Sequence, residues 1–275
     1  MPARRLLAAL ALLLALAFAP GSCATARNYA DPRGPWYATH FGRSAGPPLA
    51  TPASLRVVTF NIEHALRIDR ALSVLETTAT LRDPDLLLLQ EMDEAGTERI
   101  ARALHMNSVY IPSTVHPHTD RDFGNALLSP WPIEDPRKLL LPHESRLLHQ
   151  RRAVTVATVL VGARRVRVYS VHVETVLRLG GSARRDQVEA ILQDARRSAD
   201  PVIIAGDLNS RGLAPLFVEA GYLWLTRDVH DTVGWFDFDH VFARGLLPAA
   251  RPAAGVEDNR GASDHRPVWS MLRFG

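Results

Sequence analysis

Apolar positions along this chain recur with different periods, and each period predicts an element. Residues 55–60 and 86–89 are short apolar runs between turn formers, the pattern of strands buried on both faces. Between them Ile68, Ala71, Leu72, Leu75 and Ala79 repeat at three- and four-residue spacing. That predicts an amphipathic helix, with Asp69 placed to cap its start and Asp83-Pro84 to end it. A short helix is predicted over 94–104, with strands near 108–111 and 124–129. Residues 153–161 and 165–173 alternate on either side of Gly162-Ala163, which predicts a hairpin. Val188, Ile191, Leu192 and Ala195 mark another helix, 202–205 another buried strand, and 238–243 and 267–273 two short strands. Helices interleave with strands, yet hairpins occur too. The sum predicts α/β architecture with mixed sheets rather than a purely parallel wound sheet.

The first 54 residues break this pattern. Arg4-Arg5 followed by an uninterrupted run from Leu6 to Ala19 has the layout of an export signal, and the run is too short to span a bilayer comfortably. Two processing outcomes compete. Cys23 follows small residues as the lipid-modified cysteine of bacterial lipoproteins does, although Pro20 stands where leucine is usual; alternatively Ala24-Thr25-Ala26 is an A-x-A cleavage site. Either one predicts a signal over 1–26 and a protein outside the cytoplasm, in the periplasm or envelope or secreted. Residues 27–54 are rich in Pro, Gly and Ala and read as a tether or irregular arm, leaving 55–275 as the folded body.

Composition then narrows the chemistry. With 47% hydrophobic and 22% charged residues the chain is neither disordered nor collagenous, and its single cysteine forbids an internal disulfide. The formal charge of +3 falls to +1 once Arg4 and Arg5 are set aside, so the body is near neutral and gives nucleic acid no specific support. Lys138 is the only lysine among 32 basic residues. Arg151-Arg152, Arg164-Arg165-Arg167 and Arg184-Arg185 read as solvated hairpin ends and a helix face more readily than as a basic groove.

Polar residues collect just beyond the apolar strands: Asn61 and Glu63, Gln90-Glu91, His172, Asp207 and Asn209, Asp239-His240 and Ser263-Asp264-His265. Strand-end loops on a rigid sheet commonly carry sites. Acids, amides and histidines without thiols suit a hard divalent cation such as Mg²⁺, with Mn²⁺ possible. Singly, each has a plainer reading: Glu91 a solvated strand end, Asp207 a turn former, His172 a half-buried histidine. Glu63 reads as a second acidic ligand or a surface group, Trp235 and Phe236 as packing rather than substrate rim, and 116–122 as a solvated polar loop.

Taken in order, Thr59-Phe60-Asn61, Leu89-Gln90-Glu91, Gly124-Asn125-Ala126-Leu127-Leu128-Ser129, Val171-His172, Arg184-x-x-Gln187, Gly206-Asp207-Leu208-Asn209, Asp239-His240-Val241-Phe242 and Ser263-Asp264-His265-Arg266-Pro267-Val268 resemble the endonuclease/exonuclease/phosphatase superfamily. The resemblance spans nearly the whole body. It implies a four-layer α/β sandwich, two mixed sheets face to face with helices outside and the site at one rim. It implies Glu91 as principal metal ligand, with Asn61 and Asp264 in or beside the metal shell. Asp207 and Asn209 would orient the attacking water and the scissile phosphate. His265 paired with Asp239 would serve as general acid/base or phosphate contact, and His172 would contact phosphate or assist the leaving group. Asn125 and Arg184 would bind substrate, Arg184 having a surface salt bridge as its alternative role. The chain departs from the family in lacking the arginine that often precedes the aspartate at 239. The expected activity is Mg²⁺-dependent hydrolysis of a phosphate ester, foremost a phosphodiester of nucleic acid, phospholipid or small-molecule type. A phosphomonoesterase and a catalytically silent envelope lipoprotein are the alternatives, and oligomeric state is not predicted.

Overall fold

The computed structural model describes residues 25–44, 50–117 and 119–275. The expected leader and the fate of Cys23 therefore lie outside the described residues, but for its last two positions.

Two mixed sheets carry the fold. The first has nine strands: β1 (Arg27–Asn28), β2 (Tyr37–His40), β3 (Leu55–Asn61), β4 (Leu86–Met92), β5 (Asn107–Val115), β6 (Asp122–Ser129), β13 (Leu246–Pro248), β14 (Ala254–Val256) and β15 (Val268–Phe274). The second has six: β7 (Ile133–Glu144), β8 (Arg151–Val161), β9 (Arg164–His172), β10 (Val202–Asp207), β11 (Leu223–Trp224) and β12 (Asp239–Arg244). Among the described residues four α-helices, α1 (Ile68–Thr77), α2 (Glu94–Ala103), α3 (Gly181–Ala195) and α4 (Ala214–Glu219), complete an α/β architecture of two mixed sheets.

Three apolar layers explain why the sheets stack. Between them lie Leu55, Leu86, Leu88, Val159, Val168, Ile203 and Val241. Phe60, Leu87 and Leu89 point the other way, onto Val74 and Leu75 of α1 and Ile100 of α2. Val171 and Ile204 likewise meet Val188, Ile191 and Leu192 of α3. Alternate side chains of one strand thus feed two different cores, which is why these strands read as nearly unbroken apolar runs. Truncating such a leucine to alanine costs about 2–5 kcal/mol.

Each sheet contains one parallel pair next to its centre. In the first, β3 runs parallel to β4 with Asn61 opposite Gln90; in the second, β9 runs parallel to β10 with His172 opposite Asp207. Parallel strands end together, so both pairs deliver polar residues to one end. Gly206 is required there: its φ of +145° and the 2.0 Å that would separate an added Cβ from the Val171 carbonyl leave room for no other residue.

Several details differ from the sequence reading. The α1 helix is capped at Arg67 without a side-chain bond, and Asp69 lies in its first turn, paired with Arg99. The β7 strand was not predicted: Asp135-Pro136 and Pro142 interrupt its pattern, and its half-buried residues do not alternate cleanly. Residues 27–54, expected as a tether or arm, contribute β1 and β2 to the edge of β5. Lys138 fastens this segment, its buried ammonium donating to the carbonyls of Tyr29 at 3.2 Å and Gly34 at 2.7 Å. No described helix is long and apolar enough to cross a membrane.

Candidate active site

The site forms where the two parallel pairs end, and polar bonds between the sheets set its floor. Gln90 Nε2 donates to Ser170 Oγ at 3.1 Å, and the Thr155 hydroxyl donates to the Asn125 carbonyl at 2.7 Å. Asn125 Nδ2 donates to the carbonyls of Ala153 and Ser170 at 2.8 and 3.3 Å. Asn125, expected to bind substrate, is thus buried between the sheets with its amide committed to the neighbouring strands.

Above this seam Asn61 ends β3. Its Oδ1 accepts from the Glu63 N–H at 3.1 Å and its Nδ2 donates to Asp207 Oδ2 at 3.2 Å. Glu63, His64 and Ala65 follow in succession with positive φ, a strained turn for residues bearing side chains. The turn aims the His64 N–H at Glu91 Oε2, 3.1 Å away, with the ring Nε2 3.4 Å from the same oxygen. Glu63 pairs with Arg67 instead of facing the site. Glu91 itself has a φ of +58° and sits where the β4–β6 register shifts, so its side chain leaves the ladder and keeps some exposure.

The second sheet supplies His172, Asp207 and Asp239, all buried. Asp207 Oδ2 lies 3.4 Å from His172 Nε2 and 3.7 Å from His265 Nε2. Asp207 Oδ1 accepts from the Asn209 N–H at 2.6 Å, and Asn209 Nδ2 donates to the Val173 carbonyl at 2.9 Å. Arg184 shapes this turn. Its guanidinium donates to the carbonyls of Glu174, Leu208 and Asn209 at 2.7, 2.9 and 3.0 Å. It is buried, so the surface salt bridge does not describe it. On the other side the Ser263 hydroxyl donates to the Asn61 carbonyl at 2.7 Å and holds the loop that presents His265; Asp264 is exposed beside it.

The two histidines facing Asp207 have opposite electrostatics. His265 Nδ1 donates to Asp239 Oδ2 at 2.9 Å. Burial alone would depress this imidazole, but the charges of Asp239 and Asp207 and the bond to Asp239 outweigh it and push the pKa up to about 10. His172 is held well below the ordinary histidine range, first by burial and then by the charge of Arg152. Arg152 Nη1 points at His172 Nδ1, 3.1 Å away. A guanidinium only donates, so Nδ1 carries the lone pair and the ring proton sits on Nε2, facing Asp207. Arg152 is in turn gripped by both oxygens of Glu174, at 3.0 and 3.1 Å. Burial pushes the Glu174 carboxyl up, but Arg152 outweighs this and keeps it below its usual value. This buried pair was missed, because Arg151-Arg152 reads as a solvated hairpin end; the Arg-Arg pair just before an apolar strand was its only signal.

Asp207 titrates above the carboxylate range, raised by burial, lowered in part by His265, and raised again by Asp239 and Glu91. The four carboxylates Glu91, Asp207, Asp239 and Glu174 thus face three cations, the His265 imidazolium and the guanidiniums of Arg152 and Arg178. Such surplus negative charge in a buried oxygen-rich setting fits a divalent cation. Asp239 Oδ1 is also buried without a hydrogen-bond donor. Ligand atoms of Asp207, Asp239 and His265 lie within 4.8 Å of one another, a group among the described residues able to hold a metal ion. In the loop at 116–122 His116 is buried and packs against His64, ring centroids 4.5 Å apart, and position 118 lies outside the described residues. Trp235 and Phe236, expected as packing, are both exposed, with Phe236 stacked on Phe238.

Known proteins share the fold that carries this arrangement. Among solved structures, the endonuclease/exonuclease/phosphatase from Beutenbergia cavernae is 22% identical, with a TM-score of 0.61 over 82% of this chain and 72% of that one. A humanized Danio rerio TDP2 is 18% identical, with a TM-score of 0.62 over 81% of this chain and all of that one. The catalytic domain of human Nocturnin, with bound sulfate, is also 18% identical, with a TM-score of 0.58 over 84% of this chain and all of that one. At these identities the likeness is one of fold. No curated protein matches the chain. The model of the Endonuclease/Exonuclease/phosphatase family matches residues 58–265, more than half of the sequence and every residue of the floor, and the protein belongs to that family of phosphate-ester hydrolases.

Proposed function

We propose that the protein is a Mg²⁺-dependent phosphodiesterase that works outside the cytoplasm. The observation that carries this reading is the convergence, around one buried carboxylate, of a charged imidazole, a neutral imidazole and two amides. A phosphodiester is an anion that repels an incoming hydroxide, so its hydrolysis needs positive charge and hydrogen-bond donors on the phosphoryl oxygens and a group to take the water's proton.

Glu91, with Asn61 and Asp264 beside it, would hold the cation, whose bound charge polarises the phosphoryl oxygen. His265 serves phosphate and not the metal, because with its pKa pushed up to about 10 both ring nitrogens carry protons and neither has a lone pair to coordinate. Its Nε2 proton offers a charge-assisted bond to a phosphoryl oxygen. His172 adds a neutral Nε2–H donor. Asp207, raised toward neutrality, takes the proton of the attacking water, and Asn209 fixes its carboxylate plane. Mn²⁺ would satisfy the same oxygen ligands.

The test is hydrolysis of bis-p-nitrophenyl phosphate and p-nitrophenyl phosphate with Mg²⁺, with Mn²⁺ and with chelator, beside Asp207→Ala. The expected result is diester turnover that requires metal and falls by a factor on the order of 10³ in the variant. Preferred turnover of the monoester would make the protein a phosphatase. Metal-independent turnover, or equal turnover by the variant, would overturn the reading. A folded protein with no turnover would point to the silent lipoprotein.

A further inference from the structure

The loops around the site mouth are more apolar than a phosphate site requires. Six large apolar side chains stand exposed on them: Leu66 after β3, Leu147 between β7 and β8, Val176 and Leu177 after β9, and Trp235 and Phe236 before β12. All four loops adjoin floor residues, since they flank Asn61, Arg152, His172 and Asp239 in the chain. Leu147, Val176 and Leu177, each more than 60% exposed, form one patch, because the Arg146 N–H donates to the Arg178 carbonyl at 2.9 Å and ties their loops together. The exposed Arg146 flanks these residues, Arg178 is turned inward among Arg152, Glu174 and Glu91, and the nearby Glu144 already faces Arg151 and Asn28.

The start of the described chain meets the body at this loop. The Ala26 N–H donates to the Leu148 carbonyl at 2.8 Å, so the N-terminal segment joins the body at this same loop. Cys23 is three residues earlier in sequence, and three residues reach at most about 11 Å. An uncleaved apolar leader, or a lipid on Cys23, would therefore tether the protein to a bilayer beside Leu147 and not on the far side of the sandwich.

We propose that the Leu147–Val176–Leu177 patch docks the site mouth onto a phospholipid bilayer, so that the phosphoester hydrolysed is one presented at a lipid surface. This rests on the hydrolase reading above. The leucines and valine enter the headgroup boundary while the exposed Arg146 meets lipid phosphates, and the mouth of the site faces the headgroups.

The test uses protein beginning at Ala26, which holds every described strand and helix but no anchor. Binding to mixed phosphatidylcholine and phosphatidylglycerol vesicles is measured by flotation, for this protein, for Leu147→Ser/Val176→Ser/Leu177→Ser and for Leu177→Asp. Single-stranded DNA is the competing probe. Expected are vesicle binding by the parent, at least about tenfold weaker binding by both variants, and unchanged turnover of soluble bis-p-nitrophenyl phosphate. Parent and variants binding vesicles alike, or the parent not binding, overturns the proposal. Loss of DNA binding in its place assigns the patch to nucleic acid and also overturns it. The failures separate: patch-dependent vesicle binding without diester turnover leaves the docking surface standing and removes the hydrolase reading, whereas turnover without binding does the reverse.

Discussion

His172 and His265 both approach the same oxygen of Asp207, yet one is neutral and the other charged. Burial is common to both and pushes both toward neutrality. The partner behind each ring decides the outcome. Behind His265 stands the carboxylate of Asp239; behind His172 stands the guanidinium of Arg152. The difference teaches that identical side chains in one site acquire distinct work from the sign of the charge at the far nitrogen.

Exchanging each ring for a neutral donor tests that contrast most severely. His265→Gln removes a charge from the phosphate contact and should lower kcat/KM by a factor on the order of 10³. His172→Gln keeps a neutral donor and should cost only about tenfold. Equal losses would mean that the two rings share one charge state. Next in size is stability. Arg152→Met leaves Glu174 as a buried unpaired charge and should cost about 3–5 kcal/mol in chemical denaturation. The double variant Arg152→Met/Glu174→Gln should recover much of that loss while leaving His172 without its fixed tautomer, which nitrogen NMR of the ring reads directly.

A pH profile sharpens the comparison further. The raised pKa of His265 means that its protonation favours the fold fully below about 6.5, the ordinary histidine value, and that this contribution is lost as pH rises through about 10. Asp239→Asn should move the alkaline limb of kcat/KM down from near 10 toward 6.5, and ring titration of metal-free protein should move with it. An unmoved limb would show that Asp239 does not set the charge. The smallest effect belongs to Asn125→Ala. The carbonyls of Ala153 and Ser170 would lose their shared donor, for roughly 1–3 kcal/mol of stability. An unchanged KM would assign Asn125 to the seam alone, and a raised KM would give it the expected substrate contact as well.

Much of this was legible in the sequence. Central strands buried on both faces wrote themselves as apolar runs, and the family motifs mark the residues of the floor in their order. What escaped shares a physical cause: it depends on contacts distant in sequence. β1 and β2 form because β5 offers them an edge, and nothing in Arg27–Asn28 or Tyr37–His40 alone demands a strand. Arg152 and Arg184 look like solvated cations until the fold places Glu174 and three carbonyls around them. The left-handed turn at Glu63–Ala65, which turns His64 toward Glu91, has no glycine to announce it. Trp235 and Phe236 stand exposed where the sequence favours packing over a place on the substrate rim.

Because Asn61 and Glu91 ride on one sheet and His172, Asp207 and Asp239 on the other, the floor exists only while the two sheets keep their mutual alignment. The sandwich interior is in effect the ruler that sets the gap between the Asn61 amide and the Asp207 carboxylate. Turnover is thus a gauge of sheet-to-sheet alignment: chaotrope or pressure should extinguish it along the same curve as the near-ultraviolet signal of the packed interior, and neither sheet expressed alone should retain any activity.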